Sequence, residues 1–493
     1  MPISRTNSPI ATEVLVQLER GSGVALHRQV EVALRDGIRS GTLSPGSSLP
    51  PTRRLAEELG VSRGVVVEAY SQLVAEGYLR SRSGGYTQVA GELSRAVPGE
   101  PAASAAPPPT VEVDFGYGRA NVAAFPRRAW LRSVRRVITE APDERLAYPD
   151  GQGAPELREA LADYLNRVRG TVARPEHVVI TNGYAQGISL LLQVLAAQGA
   201  KRLAVEDPSA DDDARVVAPR LGIEVVPVPV DEGGIRVDIL ERTSADALIL
   251  TPSHQWPTGA VLSADARAAV VAWAQRTGAL VVEDDYDAEY RYDRAPIGAI
   301  QGLAPDQVVY AGTASKTLAP GFRLGWFVLP PRLIEAFAEE KIVADRGSPV
   351  IDQLAFADFL VRGEFDRHLR RMRPIYRDRR DALIEELAER LPRLRPTGIA
   401  AGLHLVAWLP EGVEEAGAVA AAADHGVAIA GVSPYRLTAS RQGGLIFGYS
   451  DLSSTAIRRG VRLLAEALAV DPRGGPAAGP QAAAGVEAHA SRG

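Results

Sequence analysis

Amines are scarce in this chain: among 55 basic residues only Lys201, Lys316 and Lys341 are lysines, so chemistry that needs an amine nucleophile has three candidates. One of them keeps distinctive company. In GTASKTLAPGFRLGW (312–326), Lys316 follows the hydroxyl residues Thr313 and Ser315, and Arg323 comes seven residues later. A lysine that is to form a Schiff base needs desolvation or a nearby cation to lower its pKa, and hydroxyls and a guanidinium are groups that hold a phosphate. Lys201 and Lys341 lack such neighbours in the sequence and are expected to be bystanders. Upstream, VVEDDYD (281–287) ends an apolar run in carboxylates. A carboxylate at the end of a buried strand suits the protonated ring nitrogen of a pyridine cofactor, which draws electrons only when protonated. TNGYAQG (181–187) passes from a strand pattern to a helix pattern at Gly183, where backbone N–H groups and a helix N-terminus can cradle a phosphate. Singly, these are a surface lysine, a solvated acidic loop and a turn. Occurring in order at the ends of successive strand patterns, they describe one site.

The elements that must position these residues alternate. HVVIT (177–181), RLAVED (202–207), EVVPVPV, ALILTPS, ALVVEDDYD and QVVYAGTASK read as apolar strands. Between them lie helical patterns such as YAQGISLLLQVLAAQ, DARVVAPRLG and residues 265–278. Strands that are apolar throughout and separated by amphipathic helices indicate a mostly parallel sheet covered on both faces, an α/β architecture whose ligands lie at the carboxyl ends of the strands.

A different pattern fills the first ninety residues. Leu26, Val30, Leu34 and Ile38 recur every four positions, as one buried helical stripe does. A Gly41/Pro45/Gly46 turn follows, then a short helix TRRLAEEL, a turn at Gly60, and a third helix with Ser62 as N-cap and Val66, Tyr70 and Leu73 facing inward. GYLRSRSGGYTQVA adds a hairpin wing. In such a helix–turn–helix the N-terminal residues of the third helix, here Ser62, Arg63 and Gly64, meet base edges, while Arg53, Arg54, Arg80 and Arg82 are placed for phosphates. The alternative is a helical protein-interaction domain with solvated arginines. The stretch 93–110 (LSRAVPGEPAASAAPPPT) reads as a Pro/Ala-rich linker and residues 471–493 as a disordered tail. The chain therefore divides into a DNA-binding module (10–92), the linker (93–110), a cofactor-binding body (111–470) and the tail.

Composition narrows the function classes. With 493 residues, 46% hydrophobic and 23% charged, the chain is an ordinary multi-domain globular sequence, and its net charge of -5 excludes a uniformly basic nucleic-acid coat. The absence of cysteine removes disulfides, thiolate metal centres and cysteine nucleophiles; no metal is expected, and the location it points to is cytoplasmic. No secretory leader or membrane-spanning run is visible.

The motifs G-x-L-x-P-G-x-x-L-P, R-x-L-A-x-x-L-G-V-S-R and A-Y-x-x-L-x-x-E-G-Y-L, spanning residues 41–79, resemble the winged helix of the GntR family of bacterial transcription regulators. The resemblance implies DNA contact by Arg53, Arg63 and the wing glycine Gly84. From Phe115 to about Leu468 the body resembles the fold-type I aminotransferases that use pyridoxal 5'-phosphate. It implies that Lys316 is the Schiff-base lysine, that Asp284 pairs with the pyridine nitrogen and Tyr286 with the ring hydroxyl, and that Arg323, Thr313, Ser315, Gly183, Tyr184 and Ala185 hold the phosphate. The fusion is similar to the MocR/GabR subfamily, a homodimeric, operator-binding regulator that senses pyridoxal phosphate or an amine or amino acid through its lysine.

Three departures bear on activity. Trp256 stands before P-T-G where many aminotransferases carry Asn, with His254 or Gln255 as replacement partner for the ring hydroxyl; Ala210 stands where relatives stack an aromatic ring; and Ile446 stands where many carry a carboxylate-binding Arg. These count against full transamination and leave a sensing domain with at most a half-reaction. The competing readings are a working aminotransferase with an accessory DNA-binding module and, more remotely, a cofactor-free body. Asp211, Asp212 and Asp213 disfavour a dicarboxylate effector, which leaves pyridoxal phosphate itself or a neutral or cationic amine; Arg436 is the remaining candidate for one carboxylate.

Overall fold

A computed structural model describes residues 16–81, 87–90, 111–210, 213–292, 297–398 and 400–469. Arg82, Gly84, Asp211, Asp212, the linker and the tail fall outside the described residues. The chain forms two units, Met1–Pro107 and Pro108–Gly493.

In the first unit the four-residue stripe becomes helix Leu26–Arg39, with Val30, Leu34 and Ile38 buried. Gly60 in the left-handed conformation stops helix Thr52–Leu59, and helix Arg63–Ala75 begins after Ser62. Ser62 is extended as an N-cap should be, but its hydroxyl makes no capping bond. Val66, Ala69, Tyr70 and Leu73 pack with Leu34 and Leu55 in one core. Strands Leu79–Ser81 and Thr87–Val89 pair antiparallel, as the two strands of a wing should.

The second unit is built on an eight-stranded sheet. Its order is Val178–Thr181, Gly325–Val328, Val308–Thr313, Leu280–Asp284, Ala247–Leu250, Arg202–Asp207, Glu224–Asp231 and Gly234–Ile235. All neighbours run parallel except around Gly325–Val328, which is antiparallel to both of its partners, and at the edge hairpin. Alternation along each strand divides the core: Val178 and Ile180 pack with Leu161 and Phe356 on one face, whereas Val179 packs with Leu191 and Phe337 on the other. That two-sided burial is why the strands read as unbroken apolar runs. A smaller antiparallel sheet, Arg395–Thr397, His404–Trp408, Gly444–Gly448 and Ala430–Gly431, is covered by helix Ser454–Ala469. No helix among the described residues is long and apolar enough to cross a membrane.

Candidate functional site

At the carboxyl ends of the large sheet's strands lies a cavity of about 260 Å³ whose wall includes Lys316, Asp284, Tyr286, Thr313, Ser315, Arg323, Tyr184 and Ala185. Fold and spacing explain the convergence. Asp284 ends strand Leu280–Asp284, Thr313 ends the adjacent Val308–Thr313, and Tyr184 opens helix Tyr184–Ala197 just beyond Val178–Thr181. Lys316 Nζ donates to the Gly118 carbonyl at 2.9 Å. Burial pulls the amine below its usual pKa, opposed by the charges of Asp284 and Asp287. Gly118 has φ 77°, and a Cβ there would come within 2.7 Å of Nζ.

The phosphate-type cradle is equally constrained. Gly183 precedes helix Tyr184–Ala197 with φ 85°, and a Cβ on it would meet the Arg323 guanidinium at 3.0 Å. Arg323 itself is in the left-handed region, φ 48° and ψ 42°, and its Nη2 donates to the Asn182 carbonyl at 3.0 Å. A non-glycine residue held there stores strain, which surrounding contacts must maintain. Thr313 Oγ1 accepts the Ser315 N–H at 3.2 Å and donates to the Leu324 carbonyl at 3.3 Å. Here a guanidinium, two hydroxyls and the first N–H groups of a 14-residue helix sit together, and a Cβ on Gly183 would crowd the guanidinium. That donor set fits the phosphate of pyridoxal 5'-phosphate, and the partly desolvated amine opposite fits its aldehyde.

His254 does not line the cavity; it stands one layer behind, buried. The Tyr286 hydroxyl donates to the His254 carbonyl at 3.0 Å and lies 3.2 Å from Nδ1, which is also 3.0 Å from Asp287 Oδ2. His404 Nε2 meets the Pro257 carbonyl at 3.1 Å, and burial holds the ring's pKa well below its usual value. His254, Asp287 and His404 bring three potential metal donors within 4.8 Å, but His254 and Asp287 already pair with each other.

Ile446 is fully buried in an apolar cluster with Trp256, Val406 and Val432, against which Tyr117 and Tyr435 pack. Trp256 and Tyr435 are 4.5 Å apart edge to face, Tyr117 and Trp256 are 4.9 Å apart, and the two tyrosine hydroxyls bond at 2.8 Å. The structure does not bring Arg436 to the cavity wall: its guanidinium lies 5.8 Å over the Trp408 ring. The side chain of Asp213 is also outside the described residues.

Several participants escaped the sequence reading. Tyr117 and Gly118 reach the cavity from the segment GYGR, whose paired glycines were the available signal. Glu206, buried beneath the wall, accepts the Thr251 N–H and hydroxyl at 2.9 and 2.7 Å, and burial pushes its carboxyl up to about 7. Lys201 remains exposed, as a bystander should. Lys341 stays off the cavity wall but is fully buried, which its sequence neighbours did not foretell.

In the first unit Arg63 and Gly64 occupy the N-terminal turn of helix Arg63–Ala75, with Arg63 Nε 3.5 Å from Thr52 Oγ1. Arg53 and Arg54 are exposed and pair with Glu57 and Glu58 one turn on. Arg80 is exposed on the wing strand opposite Gln88.

Residues 26–89 match the family of bacterial regulatory proteins, gntR family, and residues 118–443 match aminotransferase class I and II. The chain is 33% identical to a probable rhizopine catabolism regulatory protein MocR of Rhizobium meliloti, over 93% of this chain and 97% of that one. It is also 33% identical to the HTH-type pyridoxine biosynthesis transcriptional regulator PdxR of Corynebacterium glutamicum, over 87% and 93% respectively. Among solved structures, the kynurenine aminotransferase of Pyrococcus horikoshii superposes with a TM-score of 0.67 at 26% identity, covering 72% of this chain and 90% of that one.

Proposed function

The chain belongs to the MocR-type regulators, a gntR-family winged helix fused to a class I and II aminotransferase domain, and we propose that it regulates transcription through pyridoxal 5'-phosphate carried on Lys316. The observation that carries this reading is the buried amine of Lys316 facing Asp284, Tyr286 and Arg323 in one cavity. When bound, the cofactor supplies an aldehyde that condenses with amines and a ring that draws electrons once its nitrogen is protonated.

The chain's own residues divide the remaining work. Burial favours the neutral, nucleophilic form of the Lys316 amine. Asp284 would keep a proton on the ring nitrogen, and Tyr286, whose hydroxyl here donates to the His254 carbonyl, would turn that proton toward the ring hydroxyl in place of the Asn that Trp256 replaces. Arg323, Thr313, Ser315 and the N–H groups that follow Gly183 would hold the phosphate.

Pyridoxal phosphate itself, or a neutral or cationic amine that competes for its aldehyde, is the effector. Apolar Ile446, clustered with Trp256, Tyr117 and Tyr435, supports this reading, because the position where many aminotransferases carry a carboxylate-binding arginine offers no charge to a second carboxylate. The same feature weighs against a full aminotransferase cycle. A homodimer reading two half-sites completes the proposal. Leu131 and Ile138, seven residues apart on helix Arg127–Glu140, are 66% and 60% exposed and form an apolar stripe suited to a second copy.

Visible absorbance and borohydride-trapped mass test the assignment. Wild type should be yellow and gain the cofactor's mass on Lys316. Lys316→Ala should do neither, and covalently retained cofactor in that variant would refute it.

A further inference from the structure

The fully buried Lys341 lies in helix Pro331–Asp345, and its Nζ donates to Asp345 Oδ2 at 2.6 Å. An ion pair at a helix end would need nothing more. Two further side chains nevertheless converge on that oxygen: Gln186 Nε2 at 2.7 Å and Asn182 Nδ2 at 2.8 Å. Asp345 Oδ1 accepts the Gly347 N–H at 2.8 Å, so both carboxylate oxygens are engaged. Asn182 and Gln186 bracket Gly183, Tyr184 and Ala185, and Gln186 Oε1 accepts the Asn182 N–H at 2.8 Å. The Asn182 carbonyl in turn accepts from Arg323.

The charges explain why both members are needed. Asp345 is the last residue of its helix, where the helix dipole disfavours an anion, and only an ionised carboxylate can accept this many donors. The Lys341 ammonium offsets that cost, and without Asp345 it would itself be a buried, unpaired charge.

We propose that Lys341 and Asp345 are positioning residues for the cofactor's phosphate: the partly buried Asp345 carboxylate, held by buried Lys341, grips Asn182 and Gln186, and so fixes the loop N–H groups and the Arg323 guanidinium that face the phosphate. The proposal rests on the reading above that residues 183–185 and Arg323 bind that phosphate. A pair serving only general stability would support phosphorylated and unphosphorylated cofactor alike, whereas a loop clamp acts on the phosphate alone.

The test is a spectral titration of full-length, cofactor-stripped protein with pyridoxal 5'-phosphate and, separately, with pyridoxal, which has the aldehyde and ring but no phosphate. Asp345→Asn should weaken binding of the phosphorylated form on the order of 10-fold, as loss of an outer-layer support does, and leave pyridoxal unchanged. Gln186→Leu, which keeps the ion pair and therefore the fold, should show the same selective loss to a smaller degree, and Lys341→Arg should retain wild-type preference. Equal weakening of both ligands, or an unaltered preference in Asp345→Asn and Gln186→Leu, would overturn the clamp. Wild type that binds both ligands equally would instead overturn the phosphate cradle, and the clamp with it.

Discussion

Glu206 shows how a residue outside the cavity leaves a measurable trace. Its carboxyl is buried beneath Thr251, and desolvation raises its pKa from 4.5 to about 7 even though Thr251 donates to it twice. The folded chain thus holds a proton that the unfolded chain releases. The resulting stabilisation is fully present below about pH 4.5 and is lost as pH rises through about 7. Between pH 5 and pH 8 linkage makes this on the order of 2–3 kcal/mol from Glu206 alone. Glu206→Gln cannot ionise, so denaturant unfolding at the two pH values should show a decline smaller by about that amount than in wild type. An identical decline in both proteins would place Glu206 in a solvated, ordinary environment.

At the scale of elements, the third helix of the first unit makes a separable claim. Arg63 sits in its first turn, exposed and beyond the buried Val66, Tyr70 and Leu73, which is where a recognition helix presents side chains to base edges. Arg63→Ala should cost about 1–3 kcal/mol on a preferred sequence and little on random DNA. Arg80→Ala, on the wing strand, should weaken all sequences alike and reduce the salt dependence of binding. Competition binding against random DNA at two salt concentrations separates these outcomes, and unchanged discrimination in Arg63→Ala would move the reading head elsewhere.

These elements were legible because their signals are local. The stripe Val30, Leu34, Ile38 repeats with the helix, and the strand ends at Asp284 and Thr313 coincide with the switch from apolar to polar residues. What stayed hidden depends on chain distance. Gly118 reaches Lys316 across 198 residues and Asn182 reaches Asp345 across 163, and no local pattern encodes such meetings. The antiparallel strand Gly325–Val328, inserted between Val178–Thr181 and Val308–Thr313, likewise follows from sheet packing. Ile446 was readable as a missing arginine, but the aromatic wall beside it, formed by Tyr117, Trp256 and Tyr435, comes from three separate segments.

For the whole molecule, a cavity that gathers Lys316, Asp284 and Arg323 belongs to the same chain as a winged helix, so occupancy of one must change the behaviour of the other if the fusion is a regulator. A ligand shifts such an equilibrium only by its differential affinity for the two DNA-binding states. The decisive measurement is fluorescence anisotropy of a DNA fragment that the full-length protein selects from a random pool, repeated across a pyridoxal 5'-phosphate titration for wild type and Lys316→Ala. The expected result is an apparent DNA affinity that changes several-fold with the cofactor in wild type and not at all in Lys316→Ala, a coupling of about 1 kcal/mol or more. A wild-type binding curve that is the same with and without the cofactor would contradict the central claim.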